Sequence, residues 1–184
     1  ELAIEFSRSA RRAFIVTSWL KTALERKIIS KSAEIGFYKS LNTISREFIE
    51  DISNKKLSKD YIYTKYGHLR PNSYDIESKC YLNRELINSK NYLIENKNLD
   101  KDLKAWSDEK NKLTTEIKTL LDFESIEFVE LIMKENVILR ERNKFEFTKL
   151  LSAALELIAD YLNKLGIDRK NASNIPLQTL KEIA

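Results

Sequence analysis

The chain has 184 residues, enough for one domain with a core of ordinary size, and only three glycines and two prolines interrupt it, a balance that favours long helices. Its 32 basic and 28 acidic residues leave a formal charge of +4, but the signs are interspersed; they read as solvated helix faces, not as the basic stripe of a nucleic-acid binder. No apolar run approaches the roughly 18 residues of a membrane span. No secretory leader opens the sequence, and the lone Cys80 excludes an internal disulfide, so no membrane partner and a cytoplasmic setting are expected.

Ala3, Phe6, Ala10, Ala13, Thr17, Leu20 and Leu24 recur at spacings of three and four, predicting a first helix to about Arg26. Ser30 is placed to cap a second, with Glu34 in its first turn and Phe37, Leu41, Ile44, Phe48 and Ile52 as its stripe. The short connection predicts antiparallel packing of this pair. A third helix runs from Ser58 through Tyr61, Ile62 and Tyr66 and stops at Gly67, where the left-handed conformation is available.

Residues 67–80, GHLRPNSYDIESKC, hold the only histidine, one proline and one glycine, and are the least helical stretch. A short helix at 84–92 and a loop at 95–98 follow. Asp100 then caps a long helix whose face reads Leu99, Leu103, Trp106, Lys110, Leu113, Ile117 and Leu120. Asp122 caps a further helical stretch through Met133, Val137, Phe147, Leu151 and Ile158 to Gly166, roughly 60 Å long if unbroken, with a kink at 140–144 as the alternative. A last small helix opens at Pro176, after Asn174. The fold class expected is all-α: an antiparallel bundle of long helices with a smaller helical excursion, as a single helical domain excised from a larger protein.

Catalytic motifs are missing: no phosphate-binding glycine loop, no G-x-S-x-G elbow and no H-E-x-x-H helix. One histidine and one cysteine, twelve positions apart, make no ordinary zinc site, and carboxylate pairs such as Glu127 and Glu130 lack the Glu-x-x-His partners of a di-iron bundle. No catalytic residue, cofactor or metal is therefore expected in this chain.

Six side chains stand out as substrate-binding or loop-scaffold candidates: His68, Arg70, Tyr74, Asp75, Arg142 and Lys144. His68 suits proton transfer by its pKa, though an imidazole following a helix-ending glycine ordinarily ties down a turn. Arg70 and Asp75 could brace the loop as an Arg-carboxylate pair or face a ligand together. Arg142 and Lys144 belong to the charged run 140–144, a solvated face or an anion contact. Trp19 and Trp106 sit on helical stripes and read as core.

The segment YGHLRPNSYDI, Tyr66 to Ile76, resembles a loop of the modular phosphotransferases related to phosphoenolpyruvate synthase and rifampicin phosphotransferase. Residues 11–30 with 37–51 resemble the helical pair before that loop, and residues 140–158 the helix after it. The resemblance implies a central helical region that binds the phosphoryl acceptor or scaffolds its neighbours, an ATP-grasp module and a mobile phosphohistidine domain. ATP and Mg would then serve the parent protein, an ATP- or PEP-dependent kinase-type enzyme, with this piece alone inactive and its small-molecule acceptor unnamed. The family loop reads closer to GHLRPGTYDI followed by a Ser-Pro-Arg-Tyr-like element; here Asn72 and Ser73 stand for Gly-Thr, and Lys79 and Cys80 for Pro-Arg. His68 does not match the family's carrier histidine, and no phosphohistidine role is carried onto it.

Overall fold

Spacing of three and four recurs along most of the sequence, and a computed structural model, which describes residues 1–53, 57–83 and 99–183, is correspondingly all-α. Among the described residues there are eight α-helices, one 3-10 turn and no strand. The helices are α1 (Leu2–Glu25), α2 (Lys31–Lys39), α3 (Ile44–Ser53), α4 (Lys59–Tyr66), α5 (Leu99–Leu121), α6 (Ile126–Lys164), α7 (Arg169–Ala172) and α8 (Leu177–Ile183); the turn is Tyr81–Asn83. None of the described helices is long and apolar enough to cross a membrane. The expected helix at 84–92 and loop at 95–98 lie outside the described residues. The chain divides into two compact units, Glu1–Ile49 with Leu93–Lys144 and Glu50–Tyr92 with Phe145–Ala184.

The first unit is a bundle around one apolar core, with Val16, Leu20 and Ala23 from α1, Ala33 and Phe37 from α2, Trp106, Leu113 and Ile117 from α5, and Val129, Met133 and Val137 from α6. Trp106 meets Phe37 edge to face at 5.0 Å, as a core tryptophan should, and Trp19 packs half-buried at the margin. α6 runs back along α1: Asn143 reaches the Glu5 carbonyl, whereas Arg140 lies over the Phe14 ring. α2 and α5 approach so closely that a Cβ on Gly36 would stand 2.0 Å from the Asp102 carbonyl oxygen. Around that contact Lys39 donates to Asp102 at 2.8 Å, and the Ser32 hydroxyl donates to the same carboxylate.

Several local expectations are corrected. The buried face of α1 is Ser9, Ala13, Val16, Leu20 and Ala23, whereas Ala3 and Thr17 are exposed; apolar residues occur all round this helix, so several stripes fit its sequence. The expected second helix splits in two. Ser40 turns its hydroxyl back to the Phe37 carbonyl at 2.7 Å, and Thr43 starts α3 by accepting from the Arg46 amide, so short polar side chains at 40–43 compete with the helical ladder. Ser30 and Ser58 do cap α2 and α4, accepting from Ala33 and Tyr61.

Gly67 ends α4 at φ −58, not left-handed; a Cβ there would lie 2.4 Å from both the Tyr63 carbonyl oxygen and the Leu82 Cγ. Asp100 sits inside the first turn of α5, and Leu120, expected on its seam, is 75 % exposed. Asp122 has φ 53 at the end of α5, and Ser125 caps α6 instead, accepting from Phe128. α6 is unbroken through 140–144 and ends at Gly166, φ 81, with the Ile167 amide donating to Leu162. Pro176 stands just before α8, not inside it, and α7, capped by Asp168, was not anticipated.

Candidate functional site

The irregular stretch after α4 is closed on itself before it touches anything else. Tyr81 donates to the Leu69 carbonyl at 2.8 Å and Leu82 to the Gly67 carbonyl at 3.0 Å, which brings the two ends together. Inside, Asp75 donates its amide to Asn72, and the Asp75 carboxylate accepts from the Glu77 amide. Positive φ among the described residues is confined to Lys27, Asp122 and Gly166, so the turn at Asn72 forms without the left-handed conformation that its Gly-like position suggested.

Arg70 carries this loop. Its side chain retains 2 % exposure. One terminal nitrogen donates to the Asp75 and Ser78 carbonyls at 3.3 and 3.0 Å; the other donates to the Ser152 carbonyl and hydroxyl and to Glu156 at 3.0 Å. Arg169 grips the same Glu156 from the other side and donates to the Ile76 carbonyl at 2.9 Å. The guanidinium fork is thus spent on loop carbonyls and on α6, where burial makes a paired charge worth keeping. The anticipated Arg70–Asp75 ion pair does not form: Arg70 takes the main-chain carbonyl of Asp75 and the carboxylate of Glu156. Tyr74 points outward, 62 % exposed.

His68 lies at the edge of the same loop and is half-buried. Its ring stands edge-on to Phe145, with centroids 4.6 Å apart. The ring lies beside the Phe145 backbone, and Nε2 is buried with no hydrogen-bond partner among the described residues. Burial, helped by the nearby Lys149 ammonium, pushes the imidazole pKa down from 6.5 to about 4, against the raising effects of the Phe145 carbonyl and Glu146. At neutral pH the ring is uncharged, with one nitrogen donating and the other available only as an acceptor.

Beside His68 opens a cavity of about 550 Å³, lined by Asp60, Tyr63 and Thr64 of α4, His68, Leu82 and Lys149 of α6. Among the described residues the side chains of Asp60, Tyr63 and Thr64 have no hydrogen-bonding or ionic partner, whereas Lys149 is held by Glu146 at 2.8 Å and lies over the Phe145 ring. These lining residues were not singled out from sequence. A signal existed for three of them, because positions 60, 63 and 64 share a helical face immediately before the histidine. Lys149, Ser152 and Glu156 carried none, since only folding brings them beside residues more than 80 positions earlier.

The six candidates fall in both units. His68, Arg70, Tyr74 and Asp75 belong to the second unit, while Arg142 and Lys144 stand on the part of α6 that belongs to the first. In the charged run it is Arg140 that turns inward, pairing with Glu141 beneath Phe14, and Arg142 is exposed. Glu130, one of the carboxylates considered for metal, is instead clamped between Lys110 and Lys134 at 2.7 and 2.6 Å. Its pKa is lowered, the two lysines outweighing the opposite effect of burial. Among the described residues no group of three or more metal-ligating side chains gathers.

Comparison of the chain with protein-family models, with curated proteins and with solved structures finds no match.

Proposed function

We propose that the chain is the central helical region of a phosphotransferase resembling phosphoenolpyruvate synthase, acting in the cytoplasm as a scaffold for an ATP-grasp module and a mobile phosphohistidine domain and as the seat of the phosphoryl acceptor. The resemblance of Tyr66–Ile76 to the family loop carries the family part of this reading. The scaffold part is supported by Arg70, whose five acceptors tie that loop to α6 and make it a stiff element on which neighbouring chemistry can rely. Arg70 itself, with both terminal nitrogens held by protein acceptors and only Nε unpartnered, is assigned a bracing role and not an anion-binding one. The catalytic power, ATP and Mg belong to the neighbouring modules in this reading.

A second reading, a helical spacer or protein-interaction bundle with no small-molecule site, is favoured by the same engagement of both Arg70 terminal nitrogens with protein and by the outward position of Tyr74. Two measurements decide. The purified chain should neither hydrolyse ATP nor take phosphate from phosphoenolpyruvate, and the reading frame that contains it should encode an ATP-grasp region and a phosphohistidine region. ATP turnover by the chain alone, or a reading frame with neither region, rejects the phosphotransferase assignment.

A further inference from the structure

We propose that the cavity between α4, His68 and α6 is a binding site for a neutral, polyhydroxylated small molecule of the sugar or cyclic polyol class. Its volume, about 550 Å³, falls within the range of small-ligand pockets. Its polar groups are a carboxylate, an ammonium, an imidazole and two hydroxyls, so both donors and acceptors line it. The Asp60 carboxylate can only accept, Nε2 of His68 has no partner among the described residues, and the Thr64 and Tyr63 hydroxyls add two adaptable groups. Asp60 and Thr64 are exposed and open to a ligand, and hydroxyl groups are donors that meet a carboxylate without bringing charge.

The charges at the rim narrow the class further. Lys149 lines the cavity and disfavours a cationic ligand, while Asp60 lines it too and disfavours an anion. A neutral ligand escapes both. Tyr63 and Leu82 supply the aromatic and apolar surface against which the C–H face of a ring packs, completing the mixture that a hydroxylated ring needs. The six described residues that line it belong to one compact unit.

The single histidine makes the test direct, because its imidazole C–H resonances are the only ones of their kind in the protein. The full chain is titrated at neutral pH with glucose, galactose, mannose, N-acetylglucosamine and myo-inositol, each to about 50 mM, enough to saturate a millimolar site. At least one should shift the His68 signals saturably, and Asp60→Asn or Thr64→Val should weaken that binding about tenfold or more with the melting temperature unchanged. Inorganic phosphate and tetramethylammonium serve as the charged probes. The proposal is overturned if none of the neutral compounds moves His68, if Asp60→Asn and Thr64→Val leave the binding unaltered, or if a charged probe shifts His68 and the neutral ones do not. It stands on the cavity alone, so loss of the phosphotransferase assignment leaves it intact, and its own failure does not touch that assignment.

Discussion

Arg70 and Glu156, 86 positions apart in sequence, form a 3.0 Å ion pair in which the arginine side chain keeps 2 % of its exposure and the glutamate 15 %. Arg169 completes the triad from beyond α6, and the Cys80 amide adds a longer contact to the same carboxylate at 3.4 Å. One carboxylate on a helix therefore gathers the loop, its closing strand of chain and the segment after α6.

Replacing Arg70 removes the centre of this network. Arg70→Met should lower unfolding stability by about 3 kcal/mol, since two loop carbonyls and Ser152 lose their donor and Glu156 loses one of its two arginines. Arg70→Lys, a point charge without the planar fork, should recover less than half of the loss. Urea denaturation at neutral pH measures both; a loss under about 1 kcal/mol for the methionine variant contradicts the bracing role.

Gly36 reports on the closeness of α2 and α5. An added Cβ would meet Asp102 backbone atoms at 2.0 and 2.6 Å, and backbone cannot swing away as a flexible side chain can. Gly36→Ala should therefore destabilise by about 2 kcal/mol or more, even though alanine gains about 1 kcal/mol over glycine inside a helix. Thermal melting of the variant decides, and a raised melting temperature would show that the helices separate at no cost.

His68 should titrate far from the ordinary histidine range. Its folded pKa is pushed to about 4, whereas the unfolded chain takes up a proton near 6.5. Between these values the unfolded state binds more protons, so stability is complete above pH 6.5 and declines as pH falls through the window toward 4. The imidazole resonances should show a midpoint near 4, and His68→Gln should flatten the pH dependence of stability over that window. A folded-state midpoint near 6.5 refutes the burial of this ring.

Asp51 governs a lower range. Burial tends to raise its pKa, but hydrogen bonds from Lys65 and Tyr66, at 2.8 and 2.7 Å, together with the Lys65 charge, more than reverse this and hold it below 3.8. Its contribution is present above 3.8 and disappears as pH drops through the lower folded value. Asp51→Asn should cost about 1 kcal/mol at pH 7, as expected for a partly exposed pair, and less at pH 2, below the unfolded value of 3.8. Equal losses at both pH values would assign the cost to packing alone.

The helices themselves were written locally. Scarce glycine and proline, serines at 30 and 58 that cap where they stand, and Gly166 with its left-handed turn acted within a few residues of the features they determined. The stop at Gly67 was legible too, but not its conformation, and part of the crowding that keeps a side chain out there comes from Leu82, fifteen positions on.

What only the tertiary structure decided concerns choices between residues of equal local merit. α1 offers apolar residues on most sides, and its neighbours selected Val16 and Ala23 over Thr17 and Ala3. Arg70 had an acid five positions away in Asp75 and paired with one 86 positions away, because burying the guanidinium against α6 placed Glu156, not Asp75, within the reach of its fork. The cavity beside His68 is of the same kind: Lys149 of α6 reaches it from 81 positions beyond the histidine. Periodicity is a property of a segment, whereas burial and charge pairing are properties of what is packed against it.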